Sequence, residues 1–292
     1  MKSNIMCPQD RRNGIKAFIR RFKPQALALQ ETRVTAERLR FLINSLTDEY
    51  NVLAADANGN SGGVGLLVHK SCSVQSWKPV NYCVLWAVIS INRVSVPLVN
   101  VYSPVDSAER KGFWEELPLL LRHRKFLFLG DWNVVEDPAD SSSRSNWLSR
   151  QETTPFLLLK ARFNLLDVCK CGSEQLGPSF TRFQLRDGKP VWSTLDRIYS
   201  SLSFLGGFSV KIIHHPDFPL SDHLPVTLLL AGEKACPQST TPSLFFKADP
   251  RLLQKEDIKN KVNQIWAQHR RSGPPQYPLE ILCRLEGCEG CN

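Results

Sequence analysis

Apolar residues along positions 1–231 fall in short clusters separated by polar, Gly- or Pro-punctuated gaps. Leu39, Leu42, Ile43 and Leu46 stand at i, i+3, i+4 and i+7, which predicts a helix over 36–46. Further helices are expected at 14–22, at 108–122 with a kink or break at Pro118, and at 155–163. Strand-sized runs occupy 26–30, 51–55, 63–68, 73–77, 84–92, 97–102 and 125–130. Shorter ones follow at 179–185, 194–199, 208–214 and 226–230. The apolar core of the 125–130 run is unbroken, as in a strand buried on both faces. Adjacent strands interleaved with helices predict an α/β fold of packed sheets with outer helices.

The pattern changes after residue 231. A Pro/Ser/Thr-rich linker is followed by an amphipathic helix over 250–268, with Leu252, Leu253, Ile258, Val262 and Ile265 on one face, and by an irregular end. The expected organisation is a domain over 1–231 and a tail over 232–292.

Composition narrows the class. With 42% hydrophobic and 22% charged residues the chain is ordinary globular material, neither disordered nor fibrous. No apolar run nears the ~20 residues a membrane span needs, and no apolar core marks a secretory signal at the start. The 9 cysteines are odd in number and irregular in spacing, which fits reduced thiols inside a cell. A net charge of +9 favours polyanionic partners, nucleic acid before an anionic membrane surface.

The candidate chemistry stands where strands end, the usual place for sites in α/β folds. The run over 26–29 leads into Gln30, Glu31 and Thr32; that over 98–101 into Tyr102, Ser103 and Pro104. The run over 126–129 leads into Gly130, Asp131, Trp132 and Asn133; Asp196 follows Leu195, and Ser221, Asp222 and His223 precede the last strand. Singly, each has a plain reading: a helix-start carboxylate, a turn, a loop. Together, carboxylates, an amide, a phenol and an imidazole can build a phosphate-transfer site, with carboxylates holding a hard cation such as Mg²⁺.

In this order, Gln30-Glu31-Thr32, Asn100-Val101-Tyr102-Ser103-Pro104, Gly130-Asp131-Trp132-Asn133, Leu195-Asp196-Arg197-Ile198 and Ser221-Asp222-His223 resemble the motif set of the endonuclease/exonuclease/phosphatase superfamily. Finer features are similar to the endonuclease domain of non-LTR (LINE-type) retrotransposons, and the 243–250 stretch to the connector leading towards reverse transcriptase. The resemblance implies a four-layer α/β sandwich, two packed mixed sheets flanked by helices, that nicks target DNA with Mg²⁺ or Mn²⁺. A reverse transcriptase region of a longer polyprotein is an implied partner, and action on chromosomal DNA implies the nucleus. Glu31 would hold the metal, with Asp222 completing its shell. Asp131 would orient and deprotonate the attacking water, Asn133 and Tyr102 would bond the phosphate, and His223 would stabilise charge with Asp196 holding its ring. Thr181 (or Ser179) and Ser221 would contact substrate.

Two departures qualify this. Thr194 stands where the family carries Arg. Only Asn4 is in reach of the metal-supporting Asn that closes the family's first strand, and that strand is reduced to Met1, Lys2 and Ser3. The fold is therefore expected without its first strand, with metal affinity and turnover lowered. An abasic-site repair enzyme, another phosphodiesterase of the superfamily and an inactive DNA-binding remnant are the alternatives.

Weaker signals are a loop over 141–147 that could place Arg144 on phosphate and Trp147 on a base, or be a plain solvated loop. Cys283, Cys288 and Cys291 form part of a zinc pattern that lacks a clear fourth ligand. The glycines over 59–65 read as a β-turn entering a strand.

Overall fold

The computed structural model describes residues 9–121, 126–143, 147–170, 180–216 and 221–232. All belong to one unit, Met1–Ala235. Asn4, Arg144, Ser179, the 250–268 helix and the cysteine-rich end lie outside the described residues.

The chain opens with helix α1 (Gln9–Phe22), strand β1 (Ala26–Gln30) and helix α2 (Ala36–Asn44). Strands β2 (Tyr50–Asn58), β3 (Ser61–His69), β4 (Ser73–Asn81), β5 (Val84–Ile91) and β6 (Val94–Tyr102) follow. After α3 (Ser107–Leu120) come β7 (Leu127–Asp131), α4 (Arg150–Phe163) and the short β8 (Leu165–Asp167). The chain then forms β9 (Arg182–Arg186), β10 (Lys189–Ser193), β11 (Asp196–Ser201), the one-turn α5 (Leu202–Leu205), β12 (Phe208–His214) and β13 (Val226–Gly232).

One sheet has the order β1-β3-β2 and is antiparallel; a second runs β4-β5-β6-β7-β11-β8, with β6–β7 a parallel pair. The pairs β9–β10 and β12–β13 stand as separate two-stranded sheets.

Side-chain alternation sorts the layers. On β3, Val64, Leu66 and Val68 join the inner core with Leu85, Ala87, Leu98 and Val99 of the larger sheet, while Leu67 faces outward to α1 and α2. On β1, Leu27 and Leu29 pack with Ile15, Phe18 and Ile19 of α1, while Ala26 and Ala28 turn inward. Across the larger sheet, Phe113, Trp114 and Leu117 of α3 and Phe156, Leu159 and Phe163 of α4 cover Phe128, Trp132 and Tyr199. Helix, sheet, sheet and helix give the expected four-layer sandwich.

Local expectations differ in three places. Helix α3 runs unbroken through Pro118 to Leu120, because a missing N–H so near the helix end costs a single bond. The expected 179–185 strand is half of the β9–β10 hairpin, turned by Asp187 and Gly188, both at positive φ as a two-residue hairpin turn requires. Strand β3 starts at Ser61, two residues ahead of the expected 63–68 run, directly after a turn at Gly59 and Asn60.

Candidate active site

The end of β1 is bound to both sheets. Gln30, fully buried, donates through Nε2 to Asn100 Oδ1 at 2.6 Å. Asn100 on β6 in turn donates to Leu29 O (3.1 Å) and Gly65 O (2.8 Å). Glu31 follows at φ 53, a left-handed conformation uncommon outside glycine. The turn is held by Thr32 N–H to Gly63 O and Arg33 N–H to Gly62 O, both 3.0 Å. A Cβ on Gly63 would meet Thr32 Oγ1 at 2.4 Å, so the glycine is what lets the turn lie against β3. The Glu31 carboxylate accepts from Tyr102 OH (3.2 Å) and Arg33 Nη2 (2.5 Å).

The parallel pairing of β6 and β7 sets Tyr102 beside Asp131. Gly130, at φ 148, permits it: a Cβ there would sit 1.9 Å from Val101 O. Asp131 Oδ1 accepts from Asn133 N–H at 3.0 Å, and Asn133, at φ 49, donates through Nδ2 to Ser103 O at 2.7 Å. Backbone in sparsely populated regions on both Glu31 and Asn133 is strain of the kind that gathers at functional sites. Burial, then the nearby Glu31 and Asp131 carboxylates, push the Tyr102 phenol well above its ordinary range, so it stays a donor at physiological pH.

Antiparallel pairing of β11 with β7 places Asp196 opposite Asp131. Thr181 Oγ1 accepts from the N–H groups of Leu195 and Asp196, both 3.0 Å, fixing the start of β11. His223 Nδ1 lies 2.7 Å from Asp196 Oδ2. Burial raises the Asp196 carboxyl, but the adjacent imidazole outweighs this and holds it below the usual carboxylate range. Ser221 Oγ accepts from His223 N–H (2.9 Å), and Leu224 N–H bonds Thr181 O (2.7 Å), which fastens this loop to β9.

Asp131, Asp196 and His223, all buried, bring ligand atoms within 4.8 Å of one another. Asp196 Oδ1 has no hydrogen-bond partner among the described residues. A buried carboxylate oxygen in that state, in an oxygen-rich set, suits a hard divalent cation. Glu31 stands outside this trio but shares Tyr102 with Asp131. Asp222 is half-exposed and accepts from Arg182 Nε at 3.1 Å. In the 141–147 loop, Ser142 Oγ accepts from Trp192 N–H, and the half-exposed Trp147 donates its indole N–H to Ser143 O.

Sequence reasoning passed over Arg197. Fully buried behind the site, it donates to Asp167 (2.6 Å), Asp140 (2.7 Å) and Thr194 O (3.3 Å). It ties β11 to β8 and to the loop after Asn133. Its sequence signal is its place next to Asp196 in the Leu195-Asp196-Arg197-Ile198 run.

The sequence matches the family described as the Endonuclease/Exonuclease/phosphatase family over residues 3–223. It is 27% identical over 173 residues to the Transposon TX1 uncharacterized 149 kDa protein of Xenopus laevis, covering 58% of this chain but 12% of that protein. The fold is similar to the endonuclease domain of TRAS1, a telomere-specific non-LTR retrotransposon, with a TM-score of 0.60 and 15% identity over 80% of this chain and 98% of that one. It is also similar to the AP endonuclease LMAP of Leishmania major, with a TM-score of 0.58 and 17% identity over 74% and 81% of the two chains. With this match and this site, the chain belongs to the endonuclease/exonuclease/phosphatase family.

Proposed function

We propose that this chain is a divalent-metal-dependent endonuclease of the retrotransposon type, nicking DNA, with residues 1–231 as the catalytic domain and 232–292 as a connector towards a larger polyprotein. The observation that carries the reading is the convergence of Asp131, Asp196 and His223, with Glu31 and Tyr102 alongside. The likeness to a transposon protein and to a retrotransposon endonuclease domain supports the lineage.

Glu31 and a site carboxylate would hold Mg²⁺ or Mn²⁺, which when bound supplies charge neutralisation for the phosphodiester and its leaving oxygen. Asp131, fixed by the Asn133 N–H, takes the proton of the attacking water. Tyr102, kept protonated, donates to a phosphate oxygen, and Asn133 steers the phosphate. His223, oriented by Asp196, offers Nε2 to the phosphoryl group. The β9–β10 hairpin beside the site carries exposed Arg186, Lys189 and Trp192, groups suited to a polyanion with stackable bases. Work on chromosomal DNA would place the protein in the nucleus.

The test is supercoiled plasmid incubated with Mg²⁺, with and without chelator, beside Asp131→Ala. Chelator-sensitive nicking lost in the variant is expected; equal nicking by both would remove the claim. An abasic-site duplex run in parallel separates the repair reading, which requires far faster cutting of that substrate than of intact duplex. No cutting of either substrate would leave the DNA-binding remnant.

A further inference from the structure

The outer layer over the β1-β3-β2 sheet is strongly basic. From Gln9 to Asn44, the start of α1 to the end of α2, the chain carries nine Lys and Arg against three Asp and Glu. That excess is two thirds of the net +9 of the whole protein. The opposite outer layer is nearly balanced, with five basic and four acidic residues in α3 and α4 together. Charge of one sign gathered on one side is the footprint of a polyanion.

The order within the layer sharpens this. Ile15, Phe18 and Ile19 turn the apolar side of α1 onto β1 and are each 2% exposed. Lys16 and Arg20, four residues apart, share another face, and Lys23 continues the row where the chain leaves the helix at φ 42. Arg20 and Lys23 are exposed and Lys16 is half-exposed; among the described residues none of the three forms an ion pair. Arg20, in the last turn, complements the helix dipole, but Lys16 lies outside that turn, and like charges four residues apart repel. The row therefore weakens the free helix, and a bound polyanion would relieve the repulsion.

Two aromatic rings stand among these cations. Phe41 of α2 is 62% exposed, with the Arg38 guanidinium 5.1 Å from its ring centre, and Arg21 lies 5.4 Å from that of Phe22. Cations interleaved with an open ring suit a single strand, whose phosphates meet the cations and whose unpaired bases stack. A duplex keeps its bases inside and leaves Phe41 nothing to stack on. A membrane fits poorly, because the apolar side of α1 is already buried in the protein.

We propose that the α1–α2 layer binds single-stranded nucleic acid, through its phosphates at Lys16, Arg20 and Lys23 and through a stacked base at Phe41. Three residues join α1 to β1, so the two run in opposite senses, and the Lys23 end of the row lies away from Glu31. This surface is separate from the nicking centre and stands whether or not that centre cuts.

The experiment uses the full chain without divalent metal, so that nothing is cut. Its probes are labelled oligothymidylate of about 20 nucleotides and a duplex of the same length. The triple variant Lys16→Gln/Arg20→Gln/Lys23→Gln is expected to bind the single strand about tenfold or more weaker, with a salt slope shallower by about 2. Phe41→Ala is expected to weaken that binding about fivefold or more, with the slope and the duplex affinity unchanged. Neither variant touches a core side chain, so both keep the fold. Parent-like affinity and slope in the triple variant would overturn the proposal, as would losses in both variants as large on duplex as on single strand. Binding to phosphatidylserine vesicles that the triple variant loses, while its oligothymidylate binding holds, would overturn it too and assign the row to a membrane.

Discussion

Gly130 shows how one residue sets the site. A methyl group there would drive into Val101 O, and β6 and β7 would have to part where they carry Tyr102 and Asp131. Gly130→Ala is expected to cost about 3 kcal/mol or more, read as a lowered denaturant midpoint, with nicking lost in proportion. A variant as stable as the parent would show that the two strands do not approach so closely. Arg197 is the second such residue. Arg197→Met would take the guanidinium from buried Asp167 and leave Asp140 with Lys170, 2.8 Å away, and a loss of about 3 kcal/mol is expected by urea unfolding. Asp131, Asp196 and His223, which converge in the structure, were legible as candidates in the sequence because each borders an apolar run within the motif order. Gly130 and Arg197 were not, since their roles depend on which strands become neighbours, and a single chain does not display pairing.

At the scale of elements, α3 and α4 are joined by a buried ion pair, Arg110 Nε to Glu152 Oε1 at 2.5 Å, with Ser107 Oγ also donating to Glu152. Burial raises the Glu152 carboxyl, but bonds from Arg110, Ser149 and Ser107 outweigh it and hold it below the usual range. A depressed carboxylate stabilises the fold above its unfolded value, near ~4.3, and that contribution fades as pH falls through the lower folded value. Glu152→Gln is therefore expected to destabilise the protein at neutral pH and to flatten the acid limb of its stability profile; an unchanged limb would contradict this. The Ser149-to-Glu152 spacing is a capping-box signature that starts α4 ahead of Pro155. The Asp187-Gly188 turn is likewise a local signal for the β9–β10 hairpin. Both were readable from sequence, but the apolar runs beside them drew the boundaries elsewhere. The break expected at Pro118 is absent because Pro118 lies two residues from the end of α3, where its missing N–H costs one bond and Phe113, Trp114 and Leu117 already anchor the helix.

For the whole molecule, the sandwich was visible in outline because strand-length runs and helical periods alternate across 1–231. Among the described residues β12–β13 stands apart from the β1-β3-β2 sheet, a division that strand-length runs do not display. The net charge of +9 bears on substrate more than on fold. DNA binding is expected to weaken by about tenfold or more between about 50 and about 200 mM salt, as counterion release demands. A salt-independent affinity would argue against phosphate contacts.

The central claim is that Glu31 and Asp131 serve one centre in different ways, the first holding metal and the second handling the proton. Nicking rate measured against Mg²⁺ concentration tests it directly. Glu31→Gln should need about tenfold or more metal for half-maximal rate, while Asp131→Asn should lower the maximum by about 100-fold even at saturating metal. Curves for both variants that overlay the parent at every metal concentration would contradict the account.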